Sequence, residues 1–397
     1  MSSPTRVAII GAGIGGLTLA RILQLRNSPH ISFAIYESDS DASTRGALGG
    51  SLDLKYESGQ RAMKDAGLHA EFLKLSRPVG DHMRILDKTG KVHHEETDTG
   101  TGFYNPEIDR RQLRALILDS LEPGTVQWGH KATLVRRDPA TGKYTVEFAS
   151  GATEGDFDII VGADGAWSRV RPLVCDAKPI YSGITFLETK IDMAQNPQFG
   201  PLVGEGAMFA LGDGKGVLAQ HNSGGLMMLY SALRVPEEWA TTSAVARAET
   251  AAEKISLMLE HFEGWDERIQ DLIRAGQDPV VRPIYALPPD LAPRPQTDSV
   301  VLLGDSGHLM SPFAGEGVNL AMADAADLAK TLVSGKPLEK YEKLMRNRAN
   351  GCAKESATNL KIFFGEDAAA AVAKMFRMPP GVAYLIKPYF YIRSFFV

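Results

Sequence analysis

Apolar runs and stretches of alternating polarity predict elements of two kinds along the chain. Near the start, a strand pattern over residues 6–10, a glycine-rich turn over 11–16, a helical pattern over 17–25 and a second strand pattern over 31–36 predict a βαβ unit. Further helical patterns cover residues 58–68, 110–121, 244–261, 318–332 and 338–364. Alternation over 144–148 and 217–219, with glycine-rich turns at 211–216 and 223–225, indicates antiparallel strands in a separate sheet.

The order of these patterns predicts an α/β fold in which one domain interrupts another. A buried, parallel-type strand returns at residues 300–303, after the β-rich stretch from 180 to 280. We therefore expect a Rossmann-like domain of parallel sheet and helices, a β-sheet-rich domain that divides it, and a long C-terminal helix that braces the two. The predicted bounds are 1–80, 101–178 and 281–335 for the first domain, 81–100 and 179–280 for the second, and 336–397 for the helical segment.

Composition and charge narrow the class of partner. The 397 residues include 43 Lys and Arg against 48 Asp and Glu, a formal net charge of −5 that favours a small-molecule partner over nucleic acid. The two cysteines are too few for a disulfide framework or a thiolate metal site. No stretch reaches the roughly 18 apolar residues of a spanning helix, so we expect a cytoplasmic protein. We also expect it to be a monomer or a weak dimer. The aromatic tail over 384–397 is interpreted as a docked helix, with membrane or partner contact as the alternative.

The first glycine-rich turn has the spacing of a dinucleotide-binding site. Gly11, Gly13 and Gly16 form G-x-G-x-x-G directly after a strand, where glycines permit a tight turn, close approach of a pyrophosphate and tight helix packing. The acidic residue expected about 20 positions later is Glu37, at the end of the second strand. A carboxylate there favours a free ribose hydroxyl, as in FAD or NAD, over a 2′-phosphate. The alternative is a glycine turn that arose by chance.

A second glycine and acid site, far along the chain, favours FAD over NAD. Residues 302–308 end a strand and include Asp305, and residues 312–319 lead into a helix. A carboxylate at a strand end can accept hydrogen bonds from a ribityl chain, and N–H groups at a helix start suit the negative charge of a reduced flavin. The alternative is a glycine-rich loop that only caps a helix.

With these motifs the chain resembles the class A FAD-dependent aromatic hydroxylases of the para-hydroxybenzoate hydroxylase type. The resemblance covers nearly the whole chain and includes a middle motif, V-G-A-D-G-A-W-S-R-V-R over residues 161–171, which that family links to FAD and to NAD(P)H. Within the family, residues 49–54, 58–60, 105–110 and 308–315 are most similar to the tetracycline-inactivating monooxygenases.

The resemblance implies roles for a set of cofactor-binding residues. Glu37 would hold the adenosine ribose and Asp305 the pyrophosphate or ribityl region. Asp53 would lie near the isoalloxazine ring as the one possible catalytic side chain, and residues 315–319 would cradle that ring. The full set is Gly11, Gly13, Gly16, Glu37, Gly50, Asp53, Arg110, Arg114, Asp164, Asp305, Pro312, Gly315, Gly317, Val318 and Asn319.

Three members of this set have an alternative interpretation. Arg110 and Arg114 are four positions apart and share one helix face, which suits contact with a diphosphate but is also the spacing of a solvated stripe. The alternative for Asp53 is a turn or cap residue.

The strands that would bind the substrate differ in sequence from those of the tetracycline-inactivating group. The basic and imidazole side chains expected to bind a tetracycline do not appear in them. Methionine and aromatic residues stand in their place and predict an apolar pocket with one acidic anchor. The pocket candidates are Glu188, Met208, Ala210, Met228, Tyr230 and Phe313. The alternatives are ordinary core for the apolar residues and a solvated face for Glu188. His308 has no Cys, Asp or second His at metal or triad spacing, so it is interpreted as structural and no metal site is predicted.

The implied function is that of an FAD-dependent monooxygenase that consumes NADPH or NADH and O₂. The reduced flavin would form a C4a-hydroperoxide that hydroxylates a polycyclic or phenolic, tetracycline- or polyketide-like substrate. The protein would mainly position the substrate and exclude water, which agrees with the lack of a convincing acid–base pair in the sequence. Two alternatives keep the flavin: an oxidase or dehydrogenase of the same fold, and a non-catalytic flavoprotein that binds a hydrophobic ligand.

Overall fold

The computed structural model describes residues 3–44, 50–77, 82–96, 105–204, 206–290 and 299–377. Gly49 and the aromatic tail over residues 384–397, both singled out from the sequence, lie outside these ranges. The described strands are β1 (Thr5–Ile10), β2 (Ile31–Tyr36), β3 (Ser51–Asp53), β4 (Met83–Asp87), β5 (Val92–Glu96), β6 (Glu107–Asp109), β7 (Val126–Gln127), β8 (Ala132–Arg137), β9 (Tyr144–Phe148), β10 (Thr153–Phe157), β11 (Ile159–Gly162), β12 (Ile180–Asp192), β13 (Ala207–Gly212), β14 (Lys215–His221), β15 (Leu226–Arg234), β16 (Gln277–Ala286) and β17 (Val300–Leu302).

The described helices connect these strands and close the chain. They are α1 (Ile14–Arg26), α2 (Arg61–Asp65), α3 (His69–Leu75), α4 (Arg110–Asp119), α5 (Gly200–Val203), α6 (Trp239–Thr242), α7 (Ala244–Arg247), α8 (Ala251–Glu260), α9 (Glu267–Arg274), α10 (Asp305–His308), α11 (Gly317–Val333), α12 (Leu338–Phe363) and α13 (Ala368–Phe376). A π-helical turn spans Tyr56–Gln60, and 3₁₀ turns include Arg171–Leu173 and Pro312–Ala314. None of the described helices is long and apolar enough to cross a membrane.

A five-stranded parallel sheet has the strand order β17-β11-β1-β2-β7. Its strands are almost continuously apolar because both faces are covered, as is usual for parallel sheets. Helices α1 and α11 pack on one face. The three-stranded antiparallel sheet β10-β9-β8 covers the other, where Val146 and Phe148 join Ala8 and Ile10 in one core. The predicted Rossmann-like α/β fold is confirmed.

A seven-stranded mixed sheet follows the order β16-β12-β15-β14-β13-β4-β5. Its side chains alternate between two hydrophobic cores. Phe209 and Tyr230 lie on the face that packs against α12 and α13, here called the α12 face. Met208 and Leu229 lie on the opposite face, which packs against α8 and α9 and is called the α8 face. Both faces of the sheet therefore carry a buried core.

The last strand of this sheet runs beyond a predicted domain bound. The sequence placed the end of the β-rich domain at residue 280, but β16 continues to Ala286. Ala286 is the register partner of Ile180, the first residue of β12, so pairing with the long β12 extends the strand. The remaining domain bounds stay predictions.

Two predicted helices are interrupted, each by an identifiable hydrogen bond. The helix expected over 244–261 is divided into α7 and α8, because the Thr250 hydroxyl accepts a hydrogen bond from the Glu253 N–H and starts a new helix. The helix expected over 58–68 begins instead as the π-helical turn, in which the Gln60 N–H donates to the Lys55 carbonyl. Helix α2 then ends before Gly67, which has a φ of +69°.

Helix α12 contacts two hydrophobic cores, the one beneath the parallel sheet and the one on the α12 face of the mixed sheet. Near its start, Tyr341 is buried in the core beneath the parallel sheet, and its hydroxyl donates to the Leu302 carbonyl at 2.7 Å. At its other end Phe363 packs against Phe209 and Phe313 on the α12 face of the mixed sheet. The predicted bracing role of this helix is confirmed.

Candidate active site

The turn between β1 and α1 is built so that its backbone is accessible on one side only. Gly11 has a φ of +107°, and a Cβ there would lie 2.3 Å from the Ala163 carbonyl oxygen. A Cβ on Gly16 would lie 2.0 Å from the Gly11 carbonyl oxygen. A Cβ on Gly13, in contrast, would meet nothing within 4 Å. Gly11 and Gly16 are thus required for packing, while Gly13 leaves space beside the first N–H groups of α1.

Glu37 closes the far side of this turn. Its side chain is almost fully buried, and its Oε2 accepts a hydrogen bond from the Ala12 N–H at 2.7 Å. Its Oε1 accepts from the Ser38 hydroxyl at 2.8 Å and the Asp39 N–H at 3.1 Å. The carboxylate is therefore fixed at the carboxyl end of β2, directly beside the glycine turn.

A cleft of about 520 Å³ lies at the carboxyl ends of β1, β11 and β17, where ligands of open α/β sheets usually bind. The volume is within the range of small-molecule and cofactor sites. Nine of the fifteen predicted cofactor residues line the cleft: Gly11, Gly13, Gly16, Glu37, Arg110, Asp164, Asp305, Gly317 and Val318. The structure thus brings together residues from six separate parts of the sequence.

The middle motif contributes a tightly bonded turn to the cleft. Asp164 accepts hydrogen bonds from the Ser168 hydroxyl at 2.5 Å and the Arg169 N–H at 2.6 Å. Burial raises the pKa of Asp164, and these hydrogen bonds oppose the increase. The buried Arg171 donates to the Ala166 carbonyl at 2.6 Å and the Ser306 carbonyl at 2.7 Å, so it connects the motif to α10. Arg171 was part of the quoted motif but was not selected as a site residue.

Asn319 connects the start of α11 to the segment after β3. It is fully buried, and its amide nitrogen donates to the Asp53 carbonyl at 2.8 Å. Its amide oxygen accepts from the Lys55 N–H at 2.9 Å, and from the Ser58 hydroxyl and the Gly59 N–H at 3.2 Å each. Asn319 therefore supports the cofactor side of the molecule by fixing a neighbouring segment.

The 3₁₀ turn before α11 and its surroundings contain two more predicted residues. Pro312 is the first residue of this turn, and Gly315 ends it with a φ of +62°. Glu316 then forms an ion pair with Lys55. These contacts set the direction from which Gly317, the first residue of α11, enters the cleft lining.

The two predicted arginines of α4 have different surroundings. Arg110 lines the cleft, and its N–H donates to the Gly50 carbonyl at 3.3 Å. Arg114 donates to the Ala42 carbonyl at 3.2 Å and lies over the Trp128 ring, 5.6 Å from its centre. Arg110 is therefore the member of this pair that the cleft lining includes.

Asp53 lies in a buried polar group that the sequence did not single out. It is nearly inaccessible and is the β3 partner of Glu107 on β6. Glu107 accepts hydrogen bonds from Ser51 and Arg77, each at 3.2 Å. Burial raises the pKa of Glu107, and Arg77 opposes the increase. Glu107 lies within the quoted segment 105–110, where two acids, Glu107 and Asp109, in a strand of three residues were the available signal.

Four of the six pocket candidates lie on one side of the mixed sheet. Met228, Tyr230 and Phe313 belong to the core of the α12 face. Glu188 is the register partner of Tyr230 and is buried, and its carboxylate accepts a hydrogen bond from the Arg282 Nε at 2.6 Å. Glu188 is therefore not on a solvated face, because it is buried, and its carboxylate is paired with Arg282.

The other two candidates, Met208 and Ala210, lie on the α8 face. They alternate with Phe209 along β13, and the pleat sends neighbouring residues to opposite faces. The sequence grouped all six residues in one pocket, but the structure places these two in ordinary core on the far side of the sheet.

His308 has an acidic partner that its sequence surroundings do not reveal. Its Nε2 lies 2.6 Å from the Oδ2 of Asp324, sixteen residues further along the chain. The interpretation of His308 as structural had assumed that no Asp was near it. Over the described ranges, no group of three or more His, Cys, Asp or Glu side chains is arranged to hold a metal ion.

The βαβ unit, with its glycine turn and the acid at the end of its second strand, defines a dinucleotide-binding flavoprotein fold. Comparison with known proteins identifies the family. The profile of the FAD binding domain family matches residues 4–336, and the chain belongs to this family of flavin monooxygenases. It is 31% identical to the monooxygenase penA of Penicillium thymicola, over 94% of this chain and 99% of that protein. The protein is an FAD-dependent monooxygenase.

Solved structures of this class share the fold. HpxO of Klebsiella pneumoniae, in complex with FAD and uric acid, has a TM-score of 0.77 and 22% identity over 96% of this chain and 95% of that one. The tetracycline destructase Tet(55) has a TM-score of 0.72 and 18% identity over 99% of each chain. The resemblance to FAD-dependent hydroxylases and tetracycline-inactivating enzymes is therefore confirmed.

The cleft has the chemical features that FAD requires. The open space at Gly13 lies where the N–H groups of the first turn of α1 lack partners within the helix, which favours a phosphate. The carboxylate of Glu37 stands at the end of the next parallel strand, where a ribose hydroxyl is commonly bound.

Proposed function

We propose that this monooxygenase hydroxylates a polycyclic or phenolic substrate, with O₂ as the oxygen source and NADPH or NADH as the reductant. When bound, FAD would supply the redox chemistry by accepting a hydride and, once reduced, activating O₂. A tetracycline-like substrate is suggested by the fold shared with Tet(55), and the unlike residues of the mixed sheet favour a different member of that chemical class.

The cleft residues have separate tasks in binding the cofactor. Gly13 and the N-terminus of α1 would receive the pyrophosphate, and Glu37 the adenosine ribose. Asp305 would bind the ribityl or pyrophosphate region, while Gly317 and Val318 present the start of α11 to the flavin. Negative charge on the reduced ring is favoured at a helix start.

The observation that carries the proposal is the position of Arg110 between the cofactor cleft and the mixed sheet. Arg110 lines the cleft. Its charge also acts on Tyr230, whose pKa is raised by burial and by Glu188 and is lowered in part by Arg282 and Arg110. Tyr230 and Met228 belong to the buried core of the α12 face, and we propose that the methionine and aromatic side chains of this face form the surface that contacts the substrate.

This surface suits an aromatic substrate. Methionine and aromatic side chains give large apolar contact areas, and a few buried polar groups set the orientation. Burial raises the pKa of Tyr230 further above its ordinary value of 10, and its neutral phenol would donate a hydrogen bond to a substrate oxygen. The ion pair of Glu188 with Arg282 stands opposite Tyr230 on β12. The chain would thus orient the substrate and exclude water, and the flavin would provide the reactive oxygen.

The test is anaerobic stopped-flow absorbance of the FAD-loaded protein mixed with NADPH or NADH, with and without polycyclic phenols. Oxygen is then added and products are examined by mass spectrometry. We expect the flavin to bleach, faster with a good substrate, and the substrate to gain about 16 mass units, as insertion of one oxygen atom requires. A Gly13→Val variant is the control, because a Cβ there meets nothing within 4 Å and the new side chain would enter the cleft.

If H₂O₂ forms in stoichiometric yield without a hydroxylated product, the protein is an oxidase and the proposed hydroxylation is wrong. A flavin that neither NADPH nor NADH reduces would overturn the proposed use of a nicotinamide reductant.

A further inference from the structure

A single carboxylate connects the cofactor cleft to the C-terminal brace. Asp324, on α11, is fully buried. Its Oδ2 accepts a hydrogen bond from the Gly304 N–H at 3.1 Å and lies 2.6 Å from His308 Nε2. Its Oδ1 accepts from an Arg348 Nη2 at 2.8 Å. One side chain thus binds the turn after β17, the short helix α10 and the long helix α12.

The turn that Asp324 holds is part of the cleft. Gly304 and Asp305 both line it. Gly304 has a φ of +60° and a ψ of −143°, a conformation that only glycine adopts readily. A Cβ on Gly304 would lie 3.0 Å from the Cβ of Ala321, so α11 also limits the space around the turn. The N–H bond to Asp324 fixes the peptide that leads directly into Asp305.

The buried charge of Asp324 is balanced from two sides. Burial alone would raise the pKa of Asp324, but His308 and Arg348 outweigh it and the pKa is lowered. Burial alone would lower the pKa of His308, but Asp324 outweighs it and the pKa is raised. The carboxylate form of Asp324 is thus favoured, with His308 on one side of it and the positive charge of Arg348 on the other.

Arg348 extends the connection to a second carboxylate, which provides a natural control. It donates from Nη1 to Asp327 at 2.9 Å, and Asp327 also accepts from Arg61 at 2.8 Å. Asp327 is one turn further along α11 than Asp324. It bonds the same arginine of α12, but among the described residues its carboxylate makes no hydrogen bond to Gly304 or His308.

We propose that Asp324 is a positioning residue for FAD. Because Arg348 lies on α12 and bonds Asp324, the position of α12 also affects the affinity for FAD. Asp324 holds the Gly304–Asp305 turn in the shape that the cofactor contacts, and Arg348 keeps the carboxylate charged and oriented. The proposal rests on the assignment of this cleft as the FAD site.

The experiment compares Asp324→Asn with Asp327→Asn in the full-length chain. FAD is removed, and its Kd is measured by flavin fluorescence on titration into each apoprotein. The melting temperatures of the apoproteins and the visible circular dichroism of bound flavin are recorded in parallel. We expect Asp324→Asn to raise the Kd by about tenfold or more, since a charged hydrogen bond contributes about 1.5–3 kcal/mol and about 1.4 kcal/mol is tenfold. Asp327→Asn should change the Kd by less than about twofold, because it leaves the turn intact.

An unchanged Kd in Asp324→Asn would overturn the proposal. So would an equal increase in Asp327→Asn, because that result would assign the effect to general packing of α11 against α12. If Asp324→Asn does not fold, Arg348→Gln and Arg348→Lys take its place: Gln should weaken FAD binding and Lys should restore part of it, and equal affinities in both would contradict the role of the charge. Wild-type protein that binds no FAD would instead refute the proposed cofactor site.

Discussion

Asp53 and Glu107 face each other as register partners across the ribbon formed by β3 and β6, and both side chains are buried. Two carboxyl groups buried side by side disfavour each other's ionised form. Burial raises the pKa of Glu107 in the folded protein above its ordinary value of 4.5.

The first prediction concerns the pH dependence of stability. A raised pKa means that the stabilisation from protonated Glu107 is complete below pH 4.5 and is lost as the pH rises through the folded-state pKa. We expect Glu107→Gln, which stays neutral, to remove this loss and to change the slope of unfolding free energy by up to about 1.4 kcal/mol per pH unit. Denaturant unfolding between pH 4 and 8 measures it.

The matched control for this prediction is Glu95→Gln. The pKa of Glu95 is lowered by its hydrogen bond with Arg84 and then by His82, which is the opposite direction. Its contribution is therefore present above pH 4.5 and lost at lower pH, so the substitution should leave the slope above pH 5 unchanged. If both variants gave the same slope, the assignment to the buried pair would be wrong.

The second prediction separates cofactor binding from packing within the glycine turn. Gly13→Val should keep the fold and lower FAD affinity by at least about tenfold, because its side chain enters the space beside the phosphate-binding N–H groups. Gly16→Ala should destabilise the apoprotein by about 1–3 kcal/mol, because its Cβ meets the Gly11 carbonyl. Melting temperatures of apoproteins and FAD titrations distinguish the two. Equal melting temperatures for Gly16→Ala and wild type would contradict the packing argument.

The third prediction concerns the ion pair of the mixed sheet. Glu188 is buried, while the side chain of Arg282 is 44% exposed, so water screens part of the interaction. We expect Arg282→Gln to destabilise the protein by about 1–3 kcal/mol, which is less than for a fully buried pair. In a double-mutant cycle with Glu188→Gln, the double variant should lose less than the sum of the two single losses. Additive losses would mean that the pair does not couple.

The fourth prediction concerns Asn319. Asn319→Asp keeps an acceptor for the Lys55, Ser58 and Gly59 donors but loses the N–H donor to the Asp53 carbonyl. We expect a loss of about 1–3 kcal/mol of stability, from two unpaired acceptors facing each other. Ser58→Ala removes only one of the four bonds, and its effect should be smaller. Thermal unfolding of both variants, each with and without FAD, checks the order.

The fold and the cofactor motifs could be predicted from local patterns. Gly11, Gly13, Gly16 and Glu37 are close in sequence, and their spacing follows from the geometry of one βαβ unit. The bounds of β2 and β9 were also predictable, because an apolar run and a clear alternation mark them. These features depend on neighbouring residues alone.

The relationships that the sequence did not reveal join distant segments. Asp324 is one of two acids in an alanine-rich helix, and nothing local shows that it, rather than Asp327, bonds Gly304. Glu188 and Arg282 are 94 positions apart. The grouping of Met208 with Met228 failed because alternation shows that neighbours on one strand differ in face, but it does not show which face of one strand matches which face of another.

The pairing of β17 with β11 also sets the order of events during synthesis. Ile160 pairs with Val300, and the turn held by Asp324 follows this pair. A growing chain on the ribosome can form the first βαβ unit early, but it cannot complete the parallel sheet or the cleft until α11 has emerged. Until then β11 pairs with β1 on one edge only, and its other edge is open to pairing with other chains. We therefore expect nascent chains stalled before residue 300 to depend on chaperones and to be insensitive to added FAD, whereas chains extended through α12 acquire FAD and no longer need that protection.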